Sequence, residues 1–286
     1  MNQVPTLAPT LNCPCDGRHL VPAFAYETPP SGETNFDLGG AAYRRAYRSC
    51  ALCGHWFGAH ALDLSRLYDG SYVDATYGGS AGMAEKLRQI MALPPERSDN
   101  GGRVRWIEAQ IGRTAGRRLL DIGAGLGVFP ATMKARGWTV LAVETDSRTV
   151  THLREAVGIE TFAEDLTFLT TEDLGGAVDL VSFNKVLEHV EAPQPLLSHA
   201  ATLLSDKGVC YVELPDVAAA TEGPGREEFF IEHHHIFSPA SLVLLAERAG
   251  FSVSALERLR EPSGKFTLRA LLRAVPAPAG REAVAP

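Results

Sequence analysis

Residues Arg118–Val128 read RLLDIGAGLGV, and the fold is decided by how this stretch is read. Leu119, Leu120 and Ile122 form a short apolar run ending beside Asp121, followed by glycines at 123, 125 and 127. Glycine is wanted where a chain turns sharply and a ligand must lie against bare backbone. The spacing predicts a helix starting at Val128, whose first N–H groups and positive dipole end would face that ligand. One apolar run later, Thr139–Val143 ends in Glu144. An acid about 20 residues past the first glycine is where nucleoside-binding α/β folds place the carboxylate that accepts ribose hydroxyls.

The glycine pattern departs from G-x-G-x-x-G, because Asp121 precedes glycines spaced every second residue. A carboxylate next to a pyrophosphate is repelled, whereas one next to an ammonium or sulfonium is attracted. Downstream, Asp179-Leu-Val-Ser-Phe-Asn-Lys-Val-Leu-Glu-His-Val190 forms another apolar strand and turn. Together these segments resemble the first and fourth motifs of class I S-adenosylmethionine-dependent methyltransferases, with V-L-E-H the more specific match. The resemblance runs from about Gly116 to Val275. It implies a doubly wound, mostly parallel seven-stranded Rossmann-like sheet. It also implies that Asp121 and the backbone of Gly123, Ala124, Gly125 and Gly127 hold the methionine portion, and that Glu144 with Thr145 takes the ribose. In the same way Glu164 or Asp165, beside Leu166, would receive the adenine, and Asn184 would lie near the methionyl group. Glu188 and His189 belong to a packing and turn signature in that family.

The rest of the chain is consistent with alternating units. Strands are expected at 119–122, 139–143, 160–162, 180–183 and 209–213, and helices at 128–136, 147–157 and 195–204. Such alternation specifies a parallel sheet covered on both faces. A further helix is expected over 239–249 with Ser238 as its N-cap, then a closing strand pair, 251–259 and 265–272, joined by a Pro-Ser-Gly turn. Helical spacing at 81–91 and 104–111, interrupted by Pro94-Pro95, predicts a helical linker or lid over 63–115. Tyr68, Tyr72 and Tyr77 fall in that segment.

Ahead of it, Cys13-Pro-Cys15 and Cys50-Ala-Leu-Cys53 frame a Gly- and Pro-rich segment with little apolar sequence of its own. Four thiolates around a zinc ion would organise 11–62 as a small ribbon-like element. The first pair is one residue shorter than the usual knuckle, and His19, His55 or His60 could replace one cysteine. Residues 1–10 and 276–286 read as flexible tails.

With 45% hydrophobic residues and a net charge of −7, the 286-residue chain can form a sizeable core and is a poor match to an extended phosphate backbone. No apolar run reaches the roughly 18 residues a membrane span needs. No secretory pattern opens the chain, so a cytoplasmic enzyme acting on a small molecule is expected. A zinc-ribbon RNA methyltransferase and an inactive binding module are the competing readings.

The candidate base lies in Phe229-Phe-Ile-Glu-His-His-His-Ile-Phe-Ser238, after the fifth strand and hence at the ligand-binding edge of the sheet. Three consecutive histidines on an extended chain cannot share one face. The Glu-His pair before a Phe-Ser helix start resembles the corresponding loop of sugar C-methyltransferases of antibiotic and cell-surface pathways. Those enzymes also carry an N-terminal cysteine-bound zinc element. The resemblance implies His233 as general base and Glu232 as its partner or a substrate ligand. Where those enzymes have a tyrosine in this loop, this chain has Phe230, and their additional C-terminal domain is not expected here.

Overall fold

The computed structural model describes residues 13–16, 19–34, 42–62, 79–113 and 115–275. The expected tails and the three tyrosines at 68, 72 and 77 lie outside these described residues.

Buried parallel strands must be apolar on both faces, and that requirement places the core of the main sheet. Its strands are β4 (Arg118–Ile122), β5 (Thr139–Val143), β6 (Glu160–Phe162), β7 (Val178–Asn184), β8 (Leu204–Pro215), β10 (Phe251–Arg260) and β11 (Phe266–Ala274). They lie in the order β10-β11-β8-β7-β4-β5-β6. Pairings β7–β8, β4–β7, β4–β5 and β5–β6 are parallel, and only β11 runs against its neighbours. The order reverses between β4 and β7, which opens the crevice where ligands bind in such sheets.

Helices cover both faces: α1 (Gly79–Met91), α2 (Asp99–Ile111), α3 (Val128–Ala135), α4 (Ser147–His152), α5 (Pro193–Leu203) and α6 (Pro239–Arg248). The helix expected over 147–157 is α4 followed by a π turn, Leu153–Val157. Ser238 caps α6 through a capping box with Ser241. One apolar cluster packs Phe183, Val212 and Leu268 against Leu197 and Leu245, and another packs Leu119 and Tyr211 against Ile107 and Met133. Met83 of α1 is fully buried and packs with Leu126 of the glycine loop.

The N-terminal segment forms a separate antiparallel sheet in the order β1-β2-β3-β9, with β1 at Leu20–Tyr26, β2 at Arg45–Cys50 and β3 at Trp56–His60. Its fourth strand comes from the other end of the chain. β9 (His235–Ile236) pairs with β3 through Trp56↔Ile236 and Phe57↔His235. The triple-histidine loop thus completes the cysteine-bearing sheet, a contact the sequence pattern does not announce.

Candidate active site

The turn after β4 is shaped first by the protein's own packing. A Cβ on Gly123 would lie 2.8 Å from Val186 Cγ2, and one on Gly127 would lie 2.7 Å from Leu153 Cδ2. Both residues have positive φ, 63° and 74°, so glycine is needed there on two counts. Gly125 lies between them at φ 51° and its N–H donates to Glu144 Oε2 at 3.1 Å. The other Glu144 oxygen accepts from the Thr145 N–H at 2.9 Å. Burial raises the Glu144 carboxyl above its ordinary value, and these N–H donors partly offset that.

A cavity of about 660 Å³ opens at this edge of the sheet. Gly123, Ala124, Gly125, Glu144, Thr145, Glu164, Asp165, Leu166 and Asn184 line it, as do Glu232 and His233. The residues expected from separate motifs therefore meet in one space. Gly127 and Asp121 do not line it. Asp121 is 2% exposed and accepts from Ser182 Oγ at 2.5 Å and Asn184 Nδ2 at 2.9 Å. Burial pushes its carboxyl up to about 7. Through these two bonds Asp121 fixes the orientation of Asn184, which does line the cavity. With Nδ2 donated to Asp121, Asn184 Oδ1 is a buried acceptor with no hydrogen-bond partner among the described residues. Asp165 uses Oδ1 to cap the turn Leu166–Phe168, accepting from Thr167 N–H at 2.8 Å and Thr167 Oγ1 at 2.7 Å.

In the histidine loop the three side chains diverge, as an extended chain requires. His233 faces the cavity. His234 stacks on His60 with ring centroids 6.4 Å apart. His235 is buried against His55, Nδ1 to Nε2 2.9 Å, and its own Nε2 lies 3.1 Å from the Glu191 carbonyl. His233 is not oriented by the Glu232 side chain. Its Nδ1 lies 2.8 Å from the Glu228 carbonyl, and a carbonyl only accepts, so Nδ1 carries the hydrogen and Nε2 keeps its lone pair in the neutral ring. Burial holds this imidazole well below its ordinary pKa, and the ring stays neutral at cellular pH. Glu232 Oε2 has no partner among the described residues, and burial raises this carboxyl to about 7.

The N-terminal sheet grips the same loop. Tyr47, 1% exposed, donates to the His233 carbonyl at 2.7 Å. Gly58 N–H donates to the His234 carbonyl at 3.0 Å, and the Ile231 N–H donates to Glu33 Oε2 at 2.8 Å.

Other residues line the cavity too. Glu188 and His189, read as a packing and turn signature, both line the cavity. The His189 and His233 rings are 4.8 Å apart. Lys185 also lines it and takes φ 59°, a conformation uncommon for a side-chain-bearing residue. Its ammonium donates to Thr267 Oγ1 at 2.7 Å.

The four cysteines converge, with Sγ–Sγ distances of 3.2 Å for Cys13–Cys15, 3.4 Å for Cys13–Cys53 and 3.6 Å for Cys15–Cys50. The short C-x-C pair therefore joins the knuckle without a histidine substitute. His55 is instead hydrogen-bonded to Ser241 Oγ at 3.0 Å and to His235.

This strand order, the glycine turn and the acid after β5 are those of α/β folds that bind a nucleoside at this edge of the sheet. A family model described as a methyltransferase domain matches residues 83–256, more than half of the chain. The chain belongs to that family and has the fold of class I S-adenosylmethionine-dependent methyltransferases. It is 29% identical over 119 residues to the ubiquinone biosynthesis O-methyltransferase of Bordetella avium, covering 40% of this chain and 49% of that one. It is 24% identical over 230 residues to the C-methyltransferase NovU of Streptomyces niveus, covering 79% of this chain and 49% of NovU. The chain thus spans about half the length of these curated relatives. Among solved structures, the magnesium protoporphyrin IX methyltransferase of Synechocystis PCC 6803 with bound SAH matches at a TM-score of 0.54 and 16% identity, over 74% of this chain and all of that one. At that identity the likeness is one of fold. No described helix is long and apolar enough to cross a membrane.

Proposed function

We propose that this enzyme transfers the methyl group of S-adenosylmethionine to a small, polar, sugar-like acceptor, with His233 as general base. The observation that carries the reading is the single cavity joining the glycine turn and Glu144 to Glu232 and His233. The residues fit the cofactor. Asn184 Oδ1 is an orphaned acceptor suited to an ammonium, and Glu144 has two carboxylate oxygens at the edge where a ribose would lie. Glu164 or Asp165, with Leu166, would hold the adenine. S-adenosylmethionine supplies an already activated methyl group, so the protein's task is to align, exclude water and remove a proton. The acceptor's proton passes to His233 Nε2, which the Glu228 carbonyl keeps in the right tautomer. Lys185, Glu188, His189, Glu227, Glu232 and Lys265 also line the cavity, and this set of polar groups favours an acceptor rich in hydroxyl or amino groups. Incubation with labelled cofactor and a panel of nucleotide-linked sugars, against phenolic acceptors as the contrast, tests the assignment. Labelling confined to phenols would reject it.

Glu144→Ala should weaken S-adenosylmethionine binding by about 1–3 kcal/mol, the loss of hydrogen bonds to a charged acceptor. Calorimetric titration of the folded variant checks this, and unchanged affinity rejects the ribose assignment.

The cysteine element fits one structural zinc held by Cys13, Cys15, Cys50 and Cys53. Zn–S bonds of about 2.3 Å place tetrahedral thiolates roughly 3.8 Å apart, close to the observed spacing. The ion would fix the ends of β1–β3 and lend rigidity to the sheet that β9 completes. Protein purified without added metal should contain about one zinc per chain by elemental analysis. Cys53→Ser should lose the zinc and raise amide exchange in β1–β3 before β4–β8.

A further inference from the structure

The V-L-E-H turn and the histidine loop bring together a second set of donors, away from the cysteines. One ligand atom each from Glu188, His189 and His233 lie within 4.8 Å of one another. The two segments are fastened through backbone, since the His234 N–H donates to the Glu188 carbonyl at 2.8 Å. Glu188 is fully buried, and neither of its carboxyl oxygens has a hydrogen-bond partner among the described residues. A buried carboxyl in that condition is costly unless something else satisfies it. Both histidines direct Nδ1 at a backbone carbonyl, His189 at Glu232 O, 2.9 Å, and His233 at Glu228 O, 2.8 Å. Carbonyl partners at Nδ1 are what orient metal-ligating imidazoles, with Nε2 as the nitrogen that ligates.

We propose that Glu188, His189 and His233 form a three-ligand site for a divalent transition-metal ion. Two imidazoles and one carboxylate suit zinc, cobalt, nickel or iron(II) rather than magnesium or calcium, which prefer oxygen cages. An ion about 2.1 Å from each donor sets tetrahedral donor pairs roughly 3.4 Å apart, which side-chain rotation can reach from the observed spread. The fourth position would face the cavity that all three residues line. Lys185 and Lys265 act on Glu188 through space, but their ammonium groups bond to other partners: Lys185 donates to Thr267 and lies 3.9 Å from Glu213, and Lys265 lies 3.6 Å from Glu227. Glu228 is paired with Arg226, and Glu232 remains as a further acid beside the site. An ion here occupies the His233 lone pair. On the proposed function it therefore competes with proton removal and inhibits, without touching the glycine turn or Glu144.

The test is titration of the zinc-loaded protein with cobalt(II), followed by absorption. A site of nitrogen and oxygen donors gives visible cobalt bands without the near-ultraviolet thiolate-to-cobalt band that a cysteine site produces. One such cobalt per chain is expected, with affinity lowered at least about tenfold in Glu188→Gln and in His189→Ala. Glu188→Gln keeps the side-chain shape, and His189→Ala serves if the first variant does not fold. Absence of a second bound ion, a thiolate band, or equal affinity in a folded variant overturns the site. Failure of the proposed function reads differently. Cobalt that binds as expected but leaves turnover of an accepted sugar unchanged supports the site and removes His233 as base.

Discussion

His233→Ala should lower turnover about 10²–10⁴-fold, the range lost when a positioned general base is removed, while S-adenosylmethionine affinity stays at its wild-type value. The asymmetry follows from the cavity. His233 lines it together with Glu232, whereas Glu144 and the glycine turn, which would carry the nucleoside, come from other strands. The neighbouring histidines are the controls. His234 stacks on His60, so His234→Ala should have a mild effect. His235→Ala strips a buried partner from His55, and an orphaned buried donor or acceptor costs about 1–3 kcal/mol. That variant should lose stability and keep most of its turnover per folded molecule. Single-turnover kinetics with the three variants, alongside thermal melts, separates the roles. Equal losses of turnover at all three positions would show a structural loop and no base.

The parts legible in the sequence are those whose physics is local. A parallel strand buried on both faces must be a run of apolar residues, and β4, β5 and β7 were readable because Leu119–Ile122, Thr139–Val143 and Leu180–Phe183 satisfy that condition. Ser238 was readable as a cap because a helix start needs a hydroxyl there. Glu144 and Gly125 were readable because a turn and the following strand end fix their separation. The first half of β8 was not, since Asp206-Lys207-Gly208 looks like a loop, although Leu204 pairs with Val178. β9 was not, because two residues carry no period, and its partner β3 lies near the other end of the chain. Glu188 and His189 were legible only as a packing and turn signature. Their approach to His233 depends on hydrogen bonds between loops more than 40 residues apart, such as His189 to Glu232 O with a separation of 43. Asp121 sits at the expected motif position, and its hydrogen bonds to Ser182 and Asn184 on the neighbouring strand could not be read from spacing, because those partners lie 61 and 63 residues further along the chain.

The largest loss of stability from a single substitution outside the cysteines should come from Arg103. Its guanidinium reaches from α2 to Glu213 on β8, Nε to Oε2 2.7 Å and Nη2 to Oε1 2.5 Å. Tyr211 also donates to Glu213 Oε2 at 2.7 Å. The Glu213 side chain is 1% exposed and the Arg103 side chain 12%, so removing one partner leaves a charge in the interior. Breaking such a pair typically costs about 3–5 kcal/mol, far more than an exposed ion pair. Arg103→Met should lower stability by about that amount at pH 7. Burial alone would raise the Glu213 carboxyl, yet the Arg103 charge and its hydrogen bonds hold it down to about 2. A depressed carboxyl stabilises the folded state above its unfolded value, near 4.5, and that contribution is lost as pH falls from there toward 2. In Arg103→Met, Glu213 keeps, among the described residues, only Tyr211 and the more distant Lys185, so burial raises its carboxyl relative to wild type and protonation regains stability. The gap between wild type and variant should therefore narrow as pH drops below neutral, which urea melts at several pH values would measure. Arg103→Met combined with Glu213→Gln should recover much of the loss, since neither side then carries a buried charge. A double variant no more stable than Arg103→Met would mean that α2 is held by shape and not by the ion pair. In that case the Arg103 charge, which also lowers Asp121, would matter to the proton state beneath Asn184 and not to the docking of α2.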